Sequence, residues 1–72
     1  MKTFGGNLKQ TREAVGLSQQ ELACRANVTQ QRISEWECDK KEPGLFYLAR
    51  LTKILNVSFE ELIEDVDFDC HK

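Results

Sequence analysis

Three cysteines, one histidine and a scatter of carboxylates are the side chains here with the chemistry to bind a metal or carry a reaction. Their spacing suits neither. Cys24, Cys38 and Cys70 include no Cys-x-x-Cys pair, and His71 stands alone, whereas a structural zinc needs four ligands at tight spacing. An odd number of scattered thiols fits a disulfide framework poorly, and reduced cysteines suit a cytosol. No nucleophile–base–acid set can be assembled, because the single histidine is in the tail and the carboxylates fall on solvated faces. We therefore expect no enzyme, no metal and no cofactor. Two short polar rows remain, Ser18-Gln19-Gln20-Glu21 and Thr29-Gln30-Gln31-Arg32. By themselves, exposed glutamines and threonines on a helix are usually just solvated. Their meaning depends on what holds them.

Both rows open helices. Phe4, Leu8, Thr11, Arg12 and Val15 recur at three- and four-residue steps and predict a first helix over Thr3–Val15. Gly5 and Gly6 weaken its first turn by about 1 kcal/mol each, and Gly16 ends it in a left-handed cap. Ser18 and Glu21 form a capping box for a second helix, Ser18–Ala26, with Leu22, Ala23 and Ala26 inward and Asn27 at the stop. Thr29 caps a third, Thr29–Glu37. Ile33 and Trp36 point inward there as core, leaving Gln30, Gln31, Ser34 and Glu35 outward. A polar loop, Cys38–Gly44, contains the only proline. A fourth helix, Gly44–Leu55, is expected to bury Leu45, Leu48, Thr52 and Leu55. A second capping box, Ser58-Phe59-Glu60-Glu61, starts a fifth with Leu62 and Ile63 as apolar contacts. The fold class is all-α: one compact domain of five short helices over residues 1–65, followed by an acidic tail, 66–72.

Length and charge narrow the function. A 72-residue chain leaves about 40% of its unfolded-state surface exposed, so a deep substrate cleft is hard to build. With 40% hydrophobic and 31% charged residues the composition is that of a soluble globular chain. No apolar run approaches the roughly 20 residues that span a bilayer, and the N-terminus lacks an apolar leader-like stretch. A cytoplasmic protein without membrane contact is expected. The net charge of −2 argues at first against a polyanionic partner. Yet residues 1–41 carry seven Lys and Arg against five Asp and Glu, and residues 42–72 carry three against seven. A polyanion would meet the first half, with the acidic tail turned away.

The turn Asn27-Val28-Thr29 is the informative feature. So short a connection, with small Ala23 beneath it, lets two helices cross steeply and projects the start of the third as a rigid rod, as insertion into a DNA major groove requires. Here the sequence resembles the helix-turn-helix family of phage repressors and Cro proteins. The resemblance covers Leu8 to Ile63 and rests on G-L-S-Q-Q-E-L-A, on I-S-E-W-E closing the third helix, and on L-N-V-S-F-E-E-L, all in register.

That resemblance implies a lambda-repressor-like DNA-binding domain and a double-stranded DNA operator as partner, with a small-molecule effector not expected. It implies base contacts from Gln30, Gln31, Arg32, Ser34 and Glu35, and phosphate contacts from Gln19, Thr29, Lys40 and Lys41. The chemistry agrees. A glutamine amide pairs bidentately with adenine, and Glu35 can accept from a cytosine amine. Arg32 can bond guanine O6 and N7, or merely a phosphate, and helix N-termini hold anions. Arg12 and Glu37 are implied to form an internal ion pair. The chain also departs from the family pattern. Asp39 stands where a glycine is common and tolerates a left-handed conformation less well. Cys38 replaces a frequent basic or polar residue, Glu42 adds an acid to the loop, and Phe46, Tyr47, Ile54 and Phe59 are unusually apolar. Phe59 with Leu62 is the expected homodimer contact. The alternative reading is an acidic helix-turn-helix module that binds a protein partner, as an antitoxin or anti-repressor would.

Overall fold

Backbone amides at a helix start need an oxygen to meet them, and four of the five helices carry their own. In the computed structural model, which describes residues 3–66, α1 (Phe4–Val15) follows Thr3, whose hydroxyl accepts from the Gly6 amide. α2 (Gln19–Ala26) and α5 (Phe59–Leu62) both start in complete capping boxes, on Ser18 with Glu21 and on Ser58 with Glu61. α3 (Gln30–Glu37) follows Thr29, which accepts from the Arg32 amide. α4 (Leu45–Leu55) follows Gly44, which has no side chain to offer. The stops are equally local. Gly16, Asn27 and Asn56 each turn left-handed at the end of a helix, with φ of 90°, 59° and 57°. Each predicted helix is thus found at its expected place. Cys70, His71 and residues 67–69 and 72 of the tail lie outside the described residues.

The core is one cluster of Leu8, Leu17, Leu22, Ala23, Ala26, Ile33, Trp36, Leu51 and Leu55. Fully burying one such leucine contributes about 1.5–3 kcal/mol. Two expectations need correction. Leu45 is 77% exposed, and α4 buries Leu51 and Leu55 with Leu48 and Thr52 only half-covered. Leu45 lies six residues before Leu51, about 120° round the helix at 3.6 residues per turn, and so leaves the inward stripe. Val15, in the last turn of α1, is likewise exposed. Among the described residues, no helix is long and apolar enough to cross a membrane.

Three contacts fix α1 against the end of α3 and the end of α5. Gly5 packs so closely on α3 that a Cβ there would lie 2.5 Å from the carbonyl oxygens of Trp36 and Glu37. The Gly5 amide donates to Asp39 Oδ1 at 2.9 Å, while Asp39 itself sits left-handed at φ 61°. Asp39 therefore adopts the conformation usually given to glycine and adds a bond that glycine cannot make. Buried Asn7 donates both amide hydrogens, to the carbonyls of Leu62 and Glu64, each at 2.9 Å.

Candidate nucleic-acid interface

The α2–α3 turn is closed by backbone bonds. Asn27 N–H reaches the Ala23 and Cys24 carbonyls, and Val28 N–H donates to Ala23 O at 2.9 Å. Half-buried Val28 packs on the core cluster, which sets the angle at which α3 leaves. Buried Ala23 is the small residue beneath that crossing. The seating of α3 follows from its wheel. Ile33, Trp36 and Glu37 are buried, and at about 100° per residue the direction opposite them carries Gln31 and Glu35. Ser34 and Gln30 lie to one side of that row and Arg32 to the other. Thr29, Gln30, Gln31 and Arg32 are exposed, and Ser34 and Glu35 are half-exposed. The buried half of α3 is thus a stem, and its first turn stands in solvent. Among the described residues no acceptor meets the Gln30 or Gln31 backbone amide, so the positive end of the helix dipole is open to an anion.

An ion pair anchors the stem. Arg12 Nε donates to Glu37 Oε2 at 2.6 Å and Nη2 to Oε1 at 3.3 Å, with both side chains buried. Arg12 Nη1 also donates to Leu17 O at 2.7 Å. These bonds satisfy the buried charges. The hydrogen bond to Glu37 raises the Arg12 pKa further, against the opposing effect of burial. Gln19 joins the group, its Nε2 donating to Glu37 Oε1 at 3.0 Å. The Gln19 amide is therefore half-buried and tied to the base of α3, while its backbone amide remains at the start of α2.

After α3 the chain folds back on its last turn, with Cys38 N–H donating to Ser34 O and Lys40 N–H to Glu35 O, both at 2.9 Å. This holds exposed Lys40 and Lys41 beside the helix, with Lys41 Nζ 4.0 Å from Glu35 Oε1. Two residues that sequence reasoning left out belong to the same surface. Tyr47 of α4 faces both Arg32 and Arg50, and Arg50 Nη1 donates to the Ala26 carbonyl at 2.8 Å. The Arg50 bond to Ala26 has no local sequence signal, because that partner lies 24 residues away. One predicted contact does not stand: Leu62 is 0% exposed, whereas Phe59 is 45% exposed. Leu62 sits inward in α5 and cannot touch a second copy in this conformation.

A family model described as helix-turn-helix matches residues 8–62. The chain belongs to the helix-turn-helix family. Relatives include a prophage-derived HTH-type transcriptional regulator, YonR, of Bacillus subtilis strain 168, 39% identical over 61 residues, and an HTH-type transcriptional regulator of Sinorhizobium fredii, 33% identical over 66 residues. The alignments cover 85% and 92% of this chain and 56% and 86% of the relatives. The chain thus spans little more than half of the Bacillus regulator. Its fold is that of the P22 c2 repressor, solved in complex with a synthetic operator, with a TM-score of 0.83 at 26% identity, covering 89% of this chain and 97% of that one.

Proposed function

We propose that this helix-turn-helix protein is a sequence-specific double-stranded DNA-binding transcriptional regulator, a small cytoplasmic repressor without enzymatic activity. The observation that carries the reading is the seating of α3. Ile33, Trp36 and Glu37 bury one face of the helix, and its exposed first turn presents Gln30 and Gln31 on an ion-paired base. Inserted into a major groove, these amides meet base edges, with Ser34 and Glu35 further along the same outward face. Thr29, the open amides of α2 and α3, Gln19, Lys40 and Lys41 meet phosphate, which sets affinity and register. The operator-bound P22 c2 repressor, so similar in fold, supports the assignment. Residues 1–65 form the binding domain and 66–72 an appended tail.

One such domain reads few base pairs, so a homodimer on two half-sites about one helical turn apart supplies useful specificity. Phe59, with neighbouring Leu45, is the face assigned to the second copy. Selection of bound duplexes from a random pool tests the proposal. A defined site should emerge, and Gln30→Ala or Gln31→Ala should relax preference at one or two positions by about 1–3 kcal/mol. Lys40→Ala should weaken all duplexes alike and lower the salt slope by about 1. A chain that holds no duplex even at low salt would overturn the reading.

A further inference from the structure

Tyr47 of α4 has two cations around its ring, Arg32 from α3 and Arg50 from its own helix. The Arg32 guanidinium lies 5.9 Å from the centre of Tyr47 and that of Arg50 5.6 Å, within the roughly 6 Å at which an aromatic face attracts a cation. The ring is fixed in turn. Tyr47 is half-buried against the core and lies 5.7 Å from the Trp36 ring, tilted 46°. Arg50 is held by its bond to Ala26 O. On the α3 wheel Arg32 stands about 100° from Gln31, on the side of Trp36 and away from Gln30. Its side chain is thus drawn toward α4 and off the outward row. Arg32 and Tyr47 line a small hollow that Glu35, Lys41 and Glu42 also border, and Glu35 lies 4.0 Å from the Lys41 ammonium.

We infer that Arg32 is a backbone-phosphate clamp held in place by Tyr47 beside Arg50, and that base selection belongs to Gln30, Gln31, Ser34 and Glu35 instead. The inference rests on the DNA-binding reading and deepens it. Among the described residues the Arg32 guanidinium has no carboxylate partner in an ion pair, so its fork is open to a phosphate oxygen, and the Arg50 charge adds to the positive potential on the same side of Tyr47's helix. Tyr47 acts as a positioning residue: it limits the rotamers of an exposed arginine that would otherwise sweep widely.

The test uses the whole chain, the duplex selected by the wild type and a scrambled duplex. Arg32→Ala should weaken both by a similar factor, about fivefold at low salt, lower the salt slope by about 1 and leave the selected sequence unchanged. Tyr47→Phe, which keeps the aromatic face, should behave as wild type. Tyr47→Leu, which keeps the apolar packing, should reproduce the Arg32→Ala loss and add little to it in the double variant, with thermal unfolding confirming that each variant is folded. An Arg32→Ala protein that selects a different base at one position would overturn the clamp while leaving DNA binding intact. Additive losses in the double variant would overturn the role of Tyr47. Absence of wild-type binding to either duplex would remove the underlying reading and the clamp with it.

Discussion

Glu37 is only 7% exposed, yet it accepts from Arg12 twice and from Gln19 once. A buried pair of this kind is strong evidence of orientation and weak evidence of net stability, because desolvation offsets most of the attraction. Removing one partner is a different matter. Glu37→Gln should lower unfolding free energy by about 3–5 kcal/mol, since it strands the Arg12 charge; urea unfolding would show this as a lower midpoint at unchanged slope. The joint change Arg12→Met with Glu37→Leu should cost far less. A single variant as stable as wild type would mean that Arg12 finds other partners. Glu21 supplies a second, pH-dependent case. Bonds from the Ser18 backbone amide, and then from its hydroxyl, hold the carboxyl below its ordinary pKa. The unfolded chain therefore binds the proton first as pH falls. The contribution is complete above the unfolded carboxylate pKa and disappears as pH drops through the folded one. The difference in melting temperature between wild type and Glu21→Gln should accordingly shrink on acidification across that window, and a difference constant with pH would contradict it.

Caps and stops are local chemistry, and this explains which elements were legible beforehand. Ser18 with Glu21 at one end and Asn27 at the other mark α2 in any context, and Thr29 and Ser58 do the same for α3 and α5. The Arg12–Glu37 pair was legible through the family resemblance. What joins elements far apart in the chain was not. Gly5 reads from sequence as a weak first turn, costing about 1 kcal/mol of helix propensity. In the fold it lets α1 approach the backbone of α3 closely. Asp39 reads as a poor substitute for glycine, but its carboxylate takes the Gly5 amide 34 residues away. Asn7 lies in a helix interior with no sign of its bonds to the end of α5. Gly5→Ala separates the two accounts. Propensity alone forecasts a gain, whereas a Cβ 2.5 Å from two carbonyl oxygens forces α1 away from α3. We expect a net loss of about 1–3 kcal/mol, the usual range for overpacking. It should appear as a lower melting temperature together with weaker DNA binding, because α3 is displaced. A stabilised variant would show that the helix pair has room to part.

At the scale of the whole molecule, the apolar surface left open is the remaining question. Leu45, Leu48, Ala49, Thr52 and Phe59 line a hollow of about 290 Å³, and Leu48 and Phe59 also border a second of about 160 Å³ with Phe4, Glu42, Pro43 and Ile63. Phe46, next to Leu45, is 83% exposed. Solvated singly, such residues need no explanation; contiguous, they mark a contact surface. A second copy is the occupant that suits the proposed function. A two-fold interface presents the same patch from both sides and would place two α3 rods on successive half-sites. Phe59→Asp puts a charge into that patch without touching buried Leu62 or the Ser58 cap. If the proposed dimer forms through this patch, sedimentation should find the wild type dimeric and the variant monomeric at the same concentration. It should bind a duplex with one half-site as the wild type does, but lose the tighter grip on the paired site, since linked binding multiplies affinity without new contacts. Leu62→Asp is the contrasting control: it charges the core and should unfold the chain. A Phe59→Asp protein that stays dimeric, or that keeps its preference for the paired site, would show that the two copies meet elsewhere.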